Sequence, residues 1–284
     1  MKYLSIFTLI PAVALCVYIY FRDRAEKEPF RLLGLLFLTG AAAALPALAL
    51  SDGLIGLFDR AFENRVVFAV DGTAEYSSPA FKFLHDALCA FFAVALPEEL
   101  FKWMPVFLIT RRNKNFDYLF DGIVYWAFLS AGFTLTENVA GIFTDGYDTF
   151  LIRAMISAPA QLLFGVCGGF FYTLWHTYSQ ASARERALLA AGRIDRLRIR
   201  VAPLLACLSF AVPFLAHGIF TFTRISGDGK VMIAYYFTVV ALYAVCFVIT
   251  GIVSRRDSKS LVIAEAIVRR VHGRCASEEG GDGK

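Results

Sequence analysis

Apolar residues fill this chain in long unbroken runs rather than at the alternating spacing of a strand or the one-sided stripe of a soluble helix. Seven stretches, about residues 4–21, 32–50, 80–109, 120–143, 153–178, 201–223 and 231–253, are predominantly apolar. Each reaches the roughly 20 helical residues that a bilayer crossing needs. Because a backbone in lipid must satisfy its own hydrogen bonds, the pattern predicts an all-α, polytopic membrane helix bundle with about seven transmembrane helices. The first run lacks a small-x-small cleavage site and carries Leu15 ahead of Cys16, so it reads as a span rather than a leader. Residues 1–253 then form the transmembrane domain and residues 254–284 a cytoplasmic tail. Within the tail, Leu261 to Val271 predicts a short amphipathic helix resting on the inner leaflet, and the end from Ser277 reads as disordered. Stretch 51–79 mixes apolar residues with acids and predicts a short interfacial helix followed by a turn at Asp71-Gly72.

Composition agrees. Over 284 residues the chain is 58% hydrophobic and only 18% charged, with a mean hydropathy of +0.59, which excludes soluble, disordered and disulfide-scaffold classes. The net charge of +4 carries no nucleic-acid signal, because its placement is topological. Loops after the first, third, fifth and seventh runs hold twenty Lys and Arg, against five on the other side. By the positive-inside rule the N-terminus is expected outside and the C-terminus in the cytoplasm. The expected location is the cell inner (cytoplasmic) membrane, multi-pass, with the lipid bilayer as a partner and no nucleic acid. Five of the six cysteines lie in apolar runs and none forms a Cys-x-x-Cys pair, so they read as small buried hydrophobes rather than disulfides or zinc ligands.

Ionisable groups inside spans cost about 2.5–3.5 kcal/mol each on insertion scales, so each one invites a functional reading. The third run carries Glu98, Glu99 and Lys102, the fourth Glu137 and Asn138 after Asp121 at its start, the fifth Gln161 and His176, and the sixth His217. At 1.5 Å per residue, Glu98 and Glu99 lie roughly 18 Å and Glu137 and His217 roughly 24 Å from the cytoplasmic ends of their runs. Gln161 lies roughly 12 Å from the outer end of its own. These five share one layer, from the midplane outward, which His85 and His176 miss. Two carboxylates at low dielectric cannot both ionise cheaply, so one is suited to general acid–base work on a water while Lys102 compensates the other. His217 could orient the water, bind a metal or stabilise an oxyanion. Pro97 is expected to break the helical ladder ahead of the pair. The bland alternative pairs Glu98 with Lys102 and Glu137 with His217 as structural ion pairs. A proton-coupled transporter is disfavoured by the lack of internal repeats; Gly165, Gly168 and Gly169 read as close-packing positions.

Pro97-Glu-Glu-Leu-Phe-Lys-Trp103, Phe120-Asp-Gly-Ile-Val-Tyr125 with Gly132-Phe-Thr-Leu-Thr-Glu-Asn138, Arg153-Ala-Met, and Val212-Pro-Phe-Leu-Ala-His-Gly218 together resemble the successive motifs of the PrsW family of intramembrane proteases, distant relatives of the CAAX-processing glutamate proteases. The resemblance implies Glu98, Glu99 and His217 as catalytic residues, with Lys102, Asp121, Glu137 and Asn138 in support. It also implies a single-span substrate, such as a membrane-anchored anti-sigma factor, cut near the extracytoplasmic half of the bilayer. The sequence departs from the family pattern at Gln161, where a histidine is usual. Glutamine cannot shuttle a proton and is a poor zinc ligand. The resulting expectation is a glutamate-water mechanism with no cofactor, leaving a divalent metal such as zinc open, and a catalytically inactive, substrate-binding member as the alternative.

Overall fold

A computed structural model describes residues 10–68, 74–144, 147–227 and 229–273. Nine α-helices account for most of them: α1 (Ile10–Arg22), α2 (Phe30–Phe62), α3 (Pro79–Leu88), α4 (Leu96–Thr110), α5 (Asp121–Thr144), α6 (Tyr147–Ala190), α7 (Ala202–Ile225), α8 (Gly229–Arg255) and α9 (Ser260–His272). Five helical stretches are long and apolar enough to cross a membrane: Phe30–Arg65, Pro79–Thr110, Ile156–Ala190, Ala202–Ile225 and Ile233–Arg255. The fourth predicted span is α5, whose 24 residues match the length but are diluted by Ser130, Thr134, Thr136, Glu137 and Asn138. Of the first predicted span, residues 4–9 lie outside the described residues, and α1 supplies 13 residues.

The middle of the bundle is α5. Ile123, Val124, Tyr125, Trp126, Ala127 and Leu129 are all fully buried, in a core shared with α2, α4, α6, α7 and α8. A helix apolar on every side belongs at such a centre, and there its few polar residues meet protein rather than lipid. Outer helices show the reverse arrangement. Leu35, Leu38 and Leu45 of α2 and Phe237, Val240, Val248 and Ile252 of α8 are exposed, an apolar surface suited to lipid. Glycines set the closest approaches. A Cβ on Gly40 would lie 2.0 Å from the Leu129 carbonyl oxygen, and one on Gly132 1.9 Å from that of Phe37, so α2 and α5 touch backbone to backbone. Gly169 and Gly165 also bring α6 close to α5, where a Cβ would lie 2.6 Å from the Gly122 carbonyl oxygen and 2.5 Å from the Ser130 hydroxyl, which bears out the packing role expected of those glycines.

Three elements differ from the sequence expectation. α2 runs unbroken to Phe62, so the predicted interfacial helix is its continuation, since nothing between residues 51 and 62 breaks the ladder. Beyond it, strands β1 (Val66–Phe68) and β2 (Ala74–Tyr76) pair antiparallel, Val66 opposite Tyr76; the turn predicted at Asp71-Gly72 falls outside the described residues. Finally, α9 forms where an amphipathic helix was expected, but its Ala264 and Val268 pack on Ala181 and Leu188 of α6, which outruns its predicted span to Ala190. Its Leu261 and Val262 remain exposed. The disordered end expected from Ser277 also lies outside the described residues.

On this same side, Asp121 Oδ2 accepts the backbone N–H groups of Asp117 and Tyr118 at 2.9 and 2.7 Å, which folds the loop ahead of α5 back onto its first residue. Asp257 accepts the N–H of Phe120 at 3.1 Å, tying the start of the tail to the same loop.

Candidate active site

The third predicted span is one continuous helix with a π-helical stretch, Cys89–Ala95, between α3 and α4. The N–H of Leu96 reaches back five residues to the Phe91 carbonyl. Pro97, which has no N–H to give, follows at the start of α4. The ladder is therefore widened rather than broken, correcting the expected break, and the extra residue re-aims the side chains that follow. Glu98 and Glu99 are those side chains.

They face different surroundings. Glu99 is fully buried, and its Oε1 accepts from the equally buried Lys102 Nζ at 2.5 Å and lies 2.8 Å from His217 Nδ1. Glu98, four residues before Lys102, instead lines a cavity of about 360 Å³ together with Glu137, Gln161 and His217. The structural ion pair is thus Glu99–Lys102, not Glu98–Lys102, and Glu98 is the carboxylate that faces the cavity.

Gln161 joins the parts. Its Oε1 accepts from Lys102 Nζ at 2.5 Å, while its Nε2 donates to Glu98 Oε2 at 2.8 Å and to Glu137 Oε2 at 3.0 Å. Only this amide orientation satisfies an ammonium on one side and two carboxylates on the other. The ring of Phe164 stacks on His217 with centroids 4.8 Å apart and fixes its plane. With Nδ1 hydrogen-bonded to the Glu99 carboxylate, His217 presents Nε2 toward Glu98 Oε2, 3.9 Å away. Neither the Phe164 stack nor the Lys102–Gln161 bond was foreseen, although Phe164 sits one turn along the helix from Gln161.

The sequence-predicted residues do not all converge. Glu98, Glu99, Lys102, Glu137, Gln161 and His217 meet. Asp121 stands 16 residues from Glu137 along α5, roughly 24 Å away by helical rise, and holds the loop ahead of α5 as described above. Asn138 is buried beside Glu137 in the chain, but its Nδ2 finds no partner. His176 stacks on Phe116, centroids 3.9 Å apart, away from the carboxylates. The side chain of Arg153 lies outside the described residues.

A carboxylate–imidazole site sunk among apolar helices is the architecture of an intramembrane hydrolase, and comparison with known proteins agrees. The family model described as PrsW family intramembrane metalloprotease matches residues 28–250, so the chain belongs to that family. It is 28% identical over 214 residues to Protease PrsW of Oceanobacillus iheyensis, covering 75% of this chain and 79% of that protein. Against Protease PrsW of Geobacillus kaustophilus it is 29% identical over 210 residues, 74% of each chain, and against that of Bacillus subtilis 26% over 214 residues, 75% and 79%. No solved structure matches the chain. The protein is a membrane peptidase.

The family's description makes a metal possible here, yet the donors around the carboxylates do not fit one as they are arranged. Between Glu98 and Glu137, where a cation would be shared, stands the N–H₂ group of Gln161, a proton donor. The Lys102 ammonium already holds Glu99. Among the described residues, the group of ligand-type side chains whose ligand atoms all lie within 4.8 Å of one another is Asp59, His85 and Cys89.

Proposed function

We propose that this protein is an endopeptidase of the inner membrane that hydrolyses a peptide bond of a membrane-anchored protein, with Glu98 activating the water. It crosses the membrane seven times, N-terminus outside and C-terminus in the cytoplasm, as the distribution of basic residues supports. The observation that carries the mechanism is the 3.9 Å between Glu98 Oε2 and His217 Nε2, both lining the same cavity. That gap is too long for a hydrogen bond and suits a water accepted by both groups. Glu99 receives the Nδ1 proton of His217, which leaves Nε2 with its lone pair toward the cavity, the orienting role a carboxylate plays behind a catalytic histidine.

As the water oxygen attacks the scissile carbonyl carbon, Glu98 takes one of its protons and the carbonyl π electrons move to oxygen. When the tetrahedral centre collapses, the C–N bond breaks and Glu98 passes its proton to the departing amine nitrogen. Gln161 holds Glu98 in place and ties it to Glu137, and Lys102 offsets the charge of Glu99 behind the site. Low dielectric strengthens each of these contacts. No step needs a metal. The family resemblance makes a single-span anti-sigma factor the expected class of substrate, cut toward the extracytoplasmic half of the bilayer.

Reconstitution in proteoliposomes with single-span substrates tests the reading. Wild type should cut, and Glu98→Gln and His217→Ala should each lose about a hundredfold or more of the single-turnover rate, the usual share of general acid–base catalysis. Undiminished cutting by Glu98→Gln would overturn the assignment.

A further inference from the structure

Away from the carboxylates, three side chains of metal-binding type meet at one point. His85 and Cys89 lie four residues apart, one on α3 and one at the first π-helical position, hence on one face of the same continuous helix. Asp59 reaches them from the last turn of α2. Its Oδ1 lies 2.9 Å, and Cys89 Sγ 3.5 Å, from the same ring nitrogen, His85 Nε2, and all three ligand atoms fall within 4.8 Å of one another.

This geometry is wrong for an activated thiol. In a Cys–His–carboxylate triad, thiol and carboxylate address opposite nitrogens of the ring. Here both crowd Nε2, while Nδ1 is buried without a hydrogen-bond partner. One N–H cannot serve a carboxylate and a thiol together, but a cation between them serves all three. Tetrahedral zinc, with bonds of about 2.0 Å to nitrogen and oxygen and 2.3 Å to sulfur, separates N from S by roughly 3.5 Å and N from O by roughly 3.3 Å. The nitrogen–sulfur spacing is already of that size. Asp59, with 58% of its side chain exposed, has room to swing its oxygen into the remaining position.

The surroundings are those of a built site. Asp86 Oδ1 stands 3.6 Å from Nδ1, where an outer carboxylate would orient a metal-bound imidazole, and the other oxygen, Oδ2, is held by Lys82 at 2.6 Å. Phe62 at the end of α2 and Tyr76 of β2 flank the ring, with centroids 5.4 and 5.3 Å away. Cys89 is buried, and the exposed side at Asp59 leaves an entry path and a fourth position for water.

We propose that Asp59, His85 and Cys89 form a binding site for a zinc-class divalent ion, separate from the carboxylate site. A thiolate, an imidazole and one carboxylate favour zinc over magnesium or calcium, which prefer all-oxygen cages. Binding releases the Cys89 thiol proton to solvent as the S–metal bond forms. The ion ties the end of α2 to α3 where the π-helical stretch begins, nine residues and roughly 13 Å of helix before Glu98.

The test uses the full chain in detergent, stripped with a chelator and titrated with zinc alone. One zinc per chain is expected, with binding weakened at least about tenfold by Asp59→Asn and Cys89→Ala and retained by Glu98→Gln and His217→Ala. Asp59→Asn is a surface change that leaves the core intact, so its loss of zinc reports on the site and not on folding. With cobalt in place of zinc, a thiolate-to-cobalt absorption band should appear and vanish in Cys89→Ala. The proposal falls if wild type binds no stoichiometric zinc, if Asp59→Asn and Cys89→Ala bind it as tightly as wild type, or if Glu98→Gln is the variant that loses it. Because the readout is metal binding, the result is independent of whether Glu98 activates water.

Discussion

Lys102 Nζ lies 2.5 Å from Gln161 Oε1, so the residue standing where the family usually has histidine is bonded to the buried lysine on one side and to Glu98 on the other. An imidazole could not make those links. It has two ring nitrogens, whereas Gln161 accepts from one ammonium and donates to two carboxylates. Gln161→Ala should therefore lower single-turnover cleavage about a hundredfold, as expected for loss of one oriented donor. Gln161→His should recover only part of it. A Gln161→His rate at or above wild type would show that the position serves a proton shuttle or metal instead.

Removing one partner of the Glu99–Lys102 pair leaves a charge in a site where both side chains are fully buried. Lys102→Met should destabilise the protein by about 3–5 kcal/mol, the usual cost of breaking a buried pair. Glu99→Gln combined with Lys102→Met should be more stable than Lys102→Met alone, because the orphaned carboxylate is gone. Thermal unfolding in detergent measures both. Equal destabilisation by the single and double variants would mean that lost packing, not charge, sets the cost.

Glu98, Glu99, Glu137, Gln161 and His217 share one height that is legible in the sequence, because helical rise and bilayer thickness fix height whatever the neighbours. Rotation about each helix axis is another matter. Which glutamate faces Lys102 depends on the π-helical stretch at Cys89–Ala95, and no propensity marks that stretch in advance. Asp121 was grouped with the site by motif, although its position at the start of its run already placed it a full span away. Spacing among the cysteines themselves says nothing of Cys89's neighbours. Cys89 instead meets His85 one turn away and Asp59 from a different helix, a partnership that exists only after α2 continues to Phe62.

Reciprocal glycines hold α2 against α5, since a Cβ on Gly40 or Gly132 would strike a carbonyl oxygen of the facing helix at 2.0 and 1.9 Å, far inside van der Waals contact. Neither neighbour is a side chain that can rotate away. Gly40→Ala and Gly132→Ala should each lower the melting temperature, and by more than Gly34→Ala, where a Cβ meets nothing within 4 Å. Since α5 carries Glu137, the first two should also slow cleavage. Gly34→Ala should leave both readouts unchanged or slightly raise stability, because glycine is the poorer helix former.

In the loop between α1 and α2, burial raises the Glu28 carboxyl from 4.5 to about 7, against hydrogen bonds with Tyr125 and Asp121 that lower it, and with Asp23 and Asp117 adding to the rise. Asp23 is raised to about 6, again chiefly by burial, with Lys27 opposing and Asp257 and Glu26 contributing. A carboxyl whose folded value is above its unfolded one holds its proton more tightly in the native state, so ionisation favours unfolding. The native state therefore carries no penalty from Glu28 below about pH 4.5, loses stability as pH rises through 7, and levels off above it. Glu28→Gln cannot ionise. It should melt at a higher temperature than wild type near pH 8, the advantage shrinking toward zero as pH falls to about 4.5. Detergent-solubilised protein scanned at several pH values measures this, and an advantage that stays constant across the window would show that Glu28 does not titrate there.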